Sequence, residues 1–137
     1  MKIERQIEKD GLIVTHFGGL HTYNDAFEAL NELDVLSRGK KSIYEIVIND
    51  DDIELSFSRE EEQLLIKKVE TTYTKFSLGA LAVVACNDFI FGMSRLLEMS
   101  IQNELIAISV FRSEALARMW IDKIKELHNQ RLHEDRS

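Results

Sequence analysis

The chain has 137 residues, of which 45% are hydrophobic and 30% charged, with a formal charge of −7 and no proline. That length suffices for a sizeable core, and residues 1–137 are expected to form a single domain with a polar tail prone to fraying from about residue 128. The acidic balance argues against nucleic acid as a partner, because phosphate binding needs a basic footprint and here Lys and Arg are scattered. The lone cysteine, Cys86, excludes an intrachain disulfide. The charged start MKIERQIEKD does not read as a signal peptide, and no apolar run reaches the roughly 18 residues of a membrane span, so a cytoplasmic protein with no transmembrane segment is expected.

Residues Ile3 to Ile7 and Leu12 to Phe17 read as two short strands joined at Asp10-Gly11, a hairpin signal. Thr22 to about Ser37 reads as a helix opened by a Thr22/Asp25 capping pair, with Phe27, Leu30 and Leu33 at helical spacing. Ser42 to Ile48 is a strand that ends at Asn49-Asp50-Asp51-Asp52. Ser58 to Phe76 is a second helix, with Ser58 and Glu61 as its capping box and Leu65, Val69, Tyr73 and Phe76 as its buried stripe.

Leu81 to Cys86 is apolar almost without interruption, as in a strand covered on both faces. Asp88 is placed to cap a third helix, Phe89 to Gln102, and Ile106 to Phe111 forms the last strand. Ser113 opens a final helix with Ala117, Trp120, Ile121, Ile124 and Leu127 on one face. Strands alternating with helices call for right-handed crossovers. The expected fold is therefore α/β: a mixed, mainly parallel sheet of about five strands, with an N-terminal antiparallel hairpin and four helices.

This order resembles the STAS domain, and more narrowly the SpoIIAA-like family of stand-alone bacterial STAS proteins. The matching residues are Asp10-Gly11, the Gly19 turn, Asp50 at the end of the third strand, Phe91-Gly92-Met93 with Arg95, and Val110-Phe111-Arg112 followed by Ala117 and Trp120-Ile121. The resemblance covers nearly the whole chain. It implies a binding or regulatory module rather than an enzyme. Such a module is expected to work as a homodimer or with a protein partner, with the third helix supplying much of the surface. Phospho-switched members carry a serine just past the third strand, as Asp-Ser-Ser-Gly or similar. No Ser-Gly follows Asp50 here, and Ser58 is committed to a helix cap, so no regulatory phosphoserine is expected at Ser56 or Ser58. The chain order is also related to that of the CRAL-TRIO lipid carriers, so the alternative is a protein that holds a small molecule or lipid between sheet and helices.

Candidate chemistry is sparse. Asp50, Asp51 and Asp52 follow the carboxyl end of a parallel strand, where open α/β sheets place ligands, and their carboxylates suit a hard cation such as Mg²⁺; the competing reading is a solvated turn. Gly18-Gly19 is one glycine short of a dinucleotide signature and reads as a tight strand exit. His16, His21, His128 and His133 lack the spacing of a zinc hydrolase, and Cys86 within VVAC reads as a small buried hydrophobe. No catalytic residue, metal ligand set or cofactor motif stands out. The third helix is the richest candidate. At about 100° per residue, Phe89, Ile90, Met93, Leu96, Leu97 and Ile101 share a face expected to enter the core. Phe91, Arg95 and Met99 fall opposite, an aromatic–Arg–Met stripe with the composition of an interaction surface.

Overall fold

The computed structural model describes residues 2–101 and 105–135. Its strands are β1 (Lys2–Ile7), β2 (Ile13–Gly18), β3 (Leu20–Thr22), β4 (Ser42–Asn49), β5 (Glu54–Ser56), β6 (Leu78–Ala85) and β7 (Ile106–Phe111). Its helices are α1 (Tyr23–Leu36), α2 (Arg59–Tyr73), α3 (Asp88–Ser100) and α4 (Glu114–Asp135). The main sheet has five strands in the order β1-β2-β4-β6-β7, antiparallel between β1 and β2 and parallel elsewhere. This is the mixed sheet with four helices that the sequence predicts.

Each crossover from β2 to β4, β4 to β6 and β6 to β7 steps the same way across the sheet. Right-handed connections that all step one way put their helices on one face, so α1, α2 and α3 share a layer. Strand alternation then sorts the core into two halves. Ile13, Ile43, Leu81, Val83 and Val110 face that layer and pack with Leu33 and Tyr73, whereas Val14, Ile46, Ala82 and Val84 face Ala117 and Ile121 of α4. The near-continuous apolar character of β6 follows, since all its residues are buried. Gly79 is required in that strand: a Cβ there would lie 2.4 Å from the Ile43 carbonyl oxygen of β4.

Local chemistry sets the element ends. Thr22 and Ser58 form complete capping boxes with Asp25 and Glu61. The Leu116 N–H donates to Ser113 Oγ at 3.3 Å. The β1–β2 turn closes with the Gly11 N–H donating to the Glu8 carbonyl at 2.9 Å, and Gly11 takes φ +88°, open to glycine at little cost.

Several boundaries differ from the sequence expectation. Strand β6 starts at Leu78 rather than Leu81 and stops at Ala85, so Cys86 lies beyond it and is exposed, not a small buried hydrophobe. Asn87, not Asp88, caps α3: its side-chain oxygen accepts from the Phe89 N–H at 2.8 Å, which frees Asp88 to pair with Arg112 at 2.8 Å. Helix α2 stops at Tyr73, so Phe76 reaches the core from the loop beyond it. Helix α3 ends at Ser100, and Gln102 lies outside the described residues. Helix α4 runs to Asp135, and the Tyr44 hydroxyl lies 2.7 Å from His128 Nδ1.

A small feature is new. Strands β3 and β5 pair in parallel, Leu20 with Glu54 through Thr22 with Ser56, in a second sheet of two strands. The Gly18-Gly19 exit and the acidic segment after Asp50, read as turn and loop, thus run side by side at the carboxyl end of the main sheet. At three residues each, these strands are too short to show an alternation pattern.

Candidate functional site

Three places carry functional potential: the outer face of α3, the acidic turn after β4, and a cavity under α1, α2 and α3.

Helix α3 is oily on nearly every side, so hydrophobicity alone leaves its orientation open. Ile90 and Ser94 are buried, and Leu97 and Phe91 are half-buried against the core. Phe89, Leu96 and Met99 are 65%, 51% and 66% exposed. Relative to the expected core face, the helix is turned by about 60°, at about 100° per residue. Ser94 explains the difference: its hydroxyl donates to the Ile90 carbonyl at 2.8 Å, so this small polar residue can be buried without an unmet hydrogen bond.

The stripe of Phe91, Arg95 and Met99 is therefore divided. Phe91 packs against the core beneath the Arg112 guanidinium, 3.9 Å from its ring centroid. Arg95 stays outside, paired with Glu98 at 3.9 Å, and Met99 is exposed. The exposed apolar line runs instead through Phe89, Gly92, Leu96 and Met99. Gly92 leaves a gap in it, since a Cβ there would meet nothing within 4 Å.

At the acidic turn, the carboxylates fold back over the strand exit. Asp50 Oδ1 lies 3.6 Å from His16 Nδ1, and Asp52 Oδ1 accepts from the Gly19 N–H at 3.3 Å. A Cβ on Gly18 would sit 2.9 Å from Asp50 Oδ2, so that glycine makes room for the acids. The buried His21 ring contacts the Gly18 carbonyl at 2.9 Å. Asp51 is exposed. Among the described residues, no group of three or more His, Cys, Asp or Glu side chains is placed to hold a metal ion.

Between the sheet and its three-helix layer lies a cavity of about 190 Å³. Leu30, Leu33, Val47, Leu65, Val83 and Leu97 give it an apolar wall, and Arg5, Glu45 and Tyr73 also border it. A neighbouring hollow of about 150 Å³ shares Leu65, Val69 and Leu97 and lies between α2 and α3.

Glu45 is the unexpected residue. It occupies an inward position of β4 between Ile43 and Val47 and is 2% exposed. Tyr73 Oη donates to its Oε1, and Thr15 Oγ1 donates to its Oε2 at 2.8 Å. Arg5 Nε donates in turn to Thr15 Oγ1 at 3.1 Å, and Arg5 Nη2 reaches the Ala29 carbonyl at 3.3 Å. Burial pushes the Glu45 carboxyl above its usual range, against the hydrogen bonds from Tyr73 and Thr15 and the charge of Arg5. Burial, together with the Glu45 charge, pushes the Tyr73 hydroxyl well up. Sequence reading placed Tyr73 in the core and passed over Glu45 and Arg5. The only signal was a charged residue at an inward position of an otherwise apolar strand.

These features define a layered α/β protein with a polar network buried beside an apolar cavity. No family model and no curated protein matches the sequence. In fold, the chain is similar to a solved structure: an uncharacterized protein of the DUF3478 family from Shewanella loihica PV-4, described as having a SpoIIAA-like fold, with a TM-score of 0.62 and 14% identity, over 88% of this chain and 92% of that one. The fold of this chain is SpoIIAA-like, as the sequence resemblance implies. Among the described residues, no helix is long and apolar enough to cross a membrane.

Proposed function

We propose that the chain is a non-enzymatic, STAS-type interaction module that self-associates through α3. The observation that carries this reading is the exposed line Phe89, Gly92, Leu96 and Met99. Its spacing of three, four and three residues reads the same in both directions. Two copies of α3 packed antiparallel about a two-fold axis would set each Leu96 in the gap at the partner's Gly92. They would also set each Phe89 against the partner's Met99, a favourable sulfur–aromatic contact. Arg95, at the rim, carries its own Glu98 as counter-charge. Sedimentation tests the reading. The native chain should run as a dimer and Leu96→Glu as a folded monomer; a native chain that is monomeric at every concentration overturns it.

A second reading is favoured by the cavity. Its apolar wall and its volume of about 190 Å³ suit a small apolar guest, since a cavity of about 150 Å³ can hold benzene. On this reading the protein also binds a small molecule between sheet and helices.

A further inference from the structure

We infer that the cavity selects an uncharged apolar molecule bearing one hydrogen-bond donor, of the size of a small aromatic or six-carbon alcohol, whose hydroxyl donates to Glu45. The inference rests on the second reading above, that the cavity admits a small apolar guest.

Volume sets the body of the ligand. A space of about 190 Å³ takes a single ring or a short chain. Charge sets the head. Arg5 and Glu45 both border the cavity and are linked through Thr15 Oγ1, and Glu32 lies a further 3.7 Å from Arg5 Nη1. An anionic head would meet the Glu45 carboxylate, and a cationic head would meet Arg5. Each would also lose its hydration on entering an apolar wall. An uncharged donor avoids both costs.

The hydrogen-bond inventory sets the direction of that donor. A carboxylate offers about four acceptor positions. Glu45 receives one bond from Tyr73 and one from Thr15, so acceptor capacity remains on a group that borders the space. The Tyr73 and Thr15 hydroxyl protons are already given to Glu45, and Arg5 directs Nε and Nη2 to Thr15 and Ala29. A ketone or ester, which only accepts, cannot use the spare acceptor positions of Glu45, whereas a hydroxyl can.

The test is an NMR titration of the labelled native protein with toluene, benzyl alcohol and benzoate, following the amides of Val47, Val83 and Leu97. Benzyl alcohol should bind about tenfold or more tighter than toluene, the worth of one hydrogen bond to a charged group, and benzoate should not bind at the cavity. Ala26→Leu, which fills the space, should abolish binding of both. Glu45→Met should bring benzyl alcohol to the level of toluene; the wild-type ligand series stands if that variant does not fold. Toluene binding as tightly as benzyl alcohol would overturn the donor-headed class and leave an apolar site. Benzoate binding at the cavity would overturn the charge argument. Binding of none of the three would overturn the cavity reading itself, and this inference with it.

Discussion

The Arg112 guanidinium lies 3.9 Å from the centroid of the Phe91 ring. The same guanidinium donates from Nη1 to the Cys86 carbonyl at 2.9 Å and to Asp88 Oδ1 at 2.8 Å. The end of β7 is thereby tied to the start of α3, with Phe91 held beneath. An aromatic that looks like an interface anchor in the helix sequence is part of the seam between helix and sheet.

Two substitutions on one helix should therefore behave oppositely. Phe91→Ala removes a ring packed on two core clusters and should cost about 3 kcal/mol of stability. Leu96→Ala, on the exposed line, should change monomer stability by no more than about 0.5 kcal/mol while weakening self-association. Urea unfolding and sedimentation of the two variants check this. A Phe91→Ala protein as stable as wild type would return that residue to the surface stripe.

Glu45→Gln should change the pH dependence of stability. Burial raises the folded-state pKa of Glu45 above its unfolded value of about 4.3. A raised carboxyl stabilises the fold fully below the unfolded pKa, and that contribution is lost as pH rises through the folded pKa. The permanently neutral Gln should thus gain on wild type as pH goes from 4 to 8. Melting temperatures across that range decide it, and a constant difference between the two proteins would count against the perturbed carboxyl.

Ser58→Ala should cost about 1 kcal/mol, because the Ser58 hydroxyl accepts from the Glu61 N–H at 3.1 Å and the Glu61 carboxylate accepts from the Ser58 N–H at 2.9 Å. The same commitment, with Glu60 and Glu62 alongside, makes stoichiometric phosphorylation there unfavourable. Intact mass of the protein from its native cell should show no phosphate on Ser56 or Ser58.

Gly18→Ala should be destabilising by about 1 kcal/mol or more, since its Cβ would meet Asp50 Oδ2 at 2.9 Å and Asp52 Oδ1 at 3.1 Å. Pairing it with Asp50→Ser should recover part of the loss, a non-additivity expected of side chains in contact. Additive losses in denaturant unfolding would show that the glycine serves some other need.

Much of the architecture is legible in the chain because its signals are local. The Thr22/Asp25 and Ser58/Glu61 boxes, the Asp10-Gly11 turn and the apolar run of β6 each need only a few neighbouring residues to be recognised. Strand and helix alternation then follows, and with it the crossover rule that puts α1, α2 and α3 on one face. Tertiary structure decided the rest. Helix α3 carries more apolar surface than its contact with β6 and β7 can cover, so only packing selects Ile90 and Ser94 as inner and leaves Leu96 and Met99 outside. The pairing of β3 with β5 joins segments more than thirty positions apart, beyond the reach of any local pattern. Glu45 meets its partners from β1, β2 and α2 only when those elements assemble. A buried carboxylate is tolerable only with such partners in place, so its site could be recognised only in the folded chain.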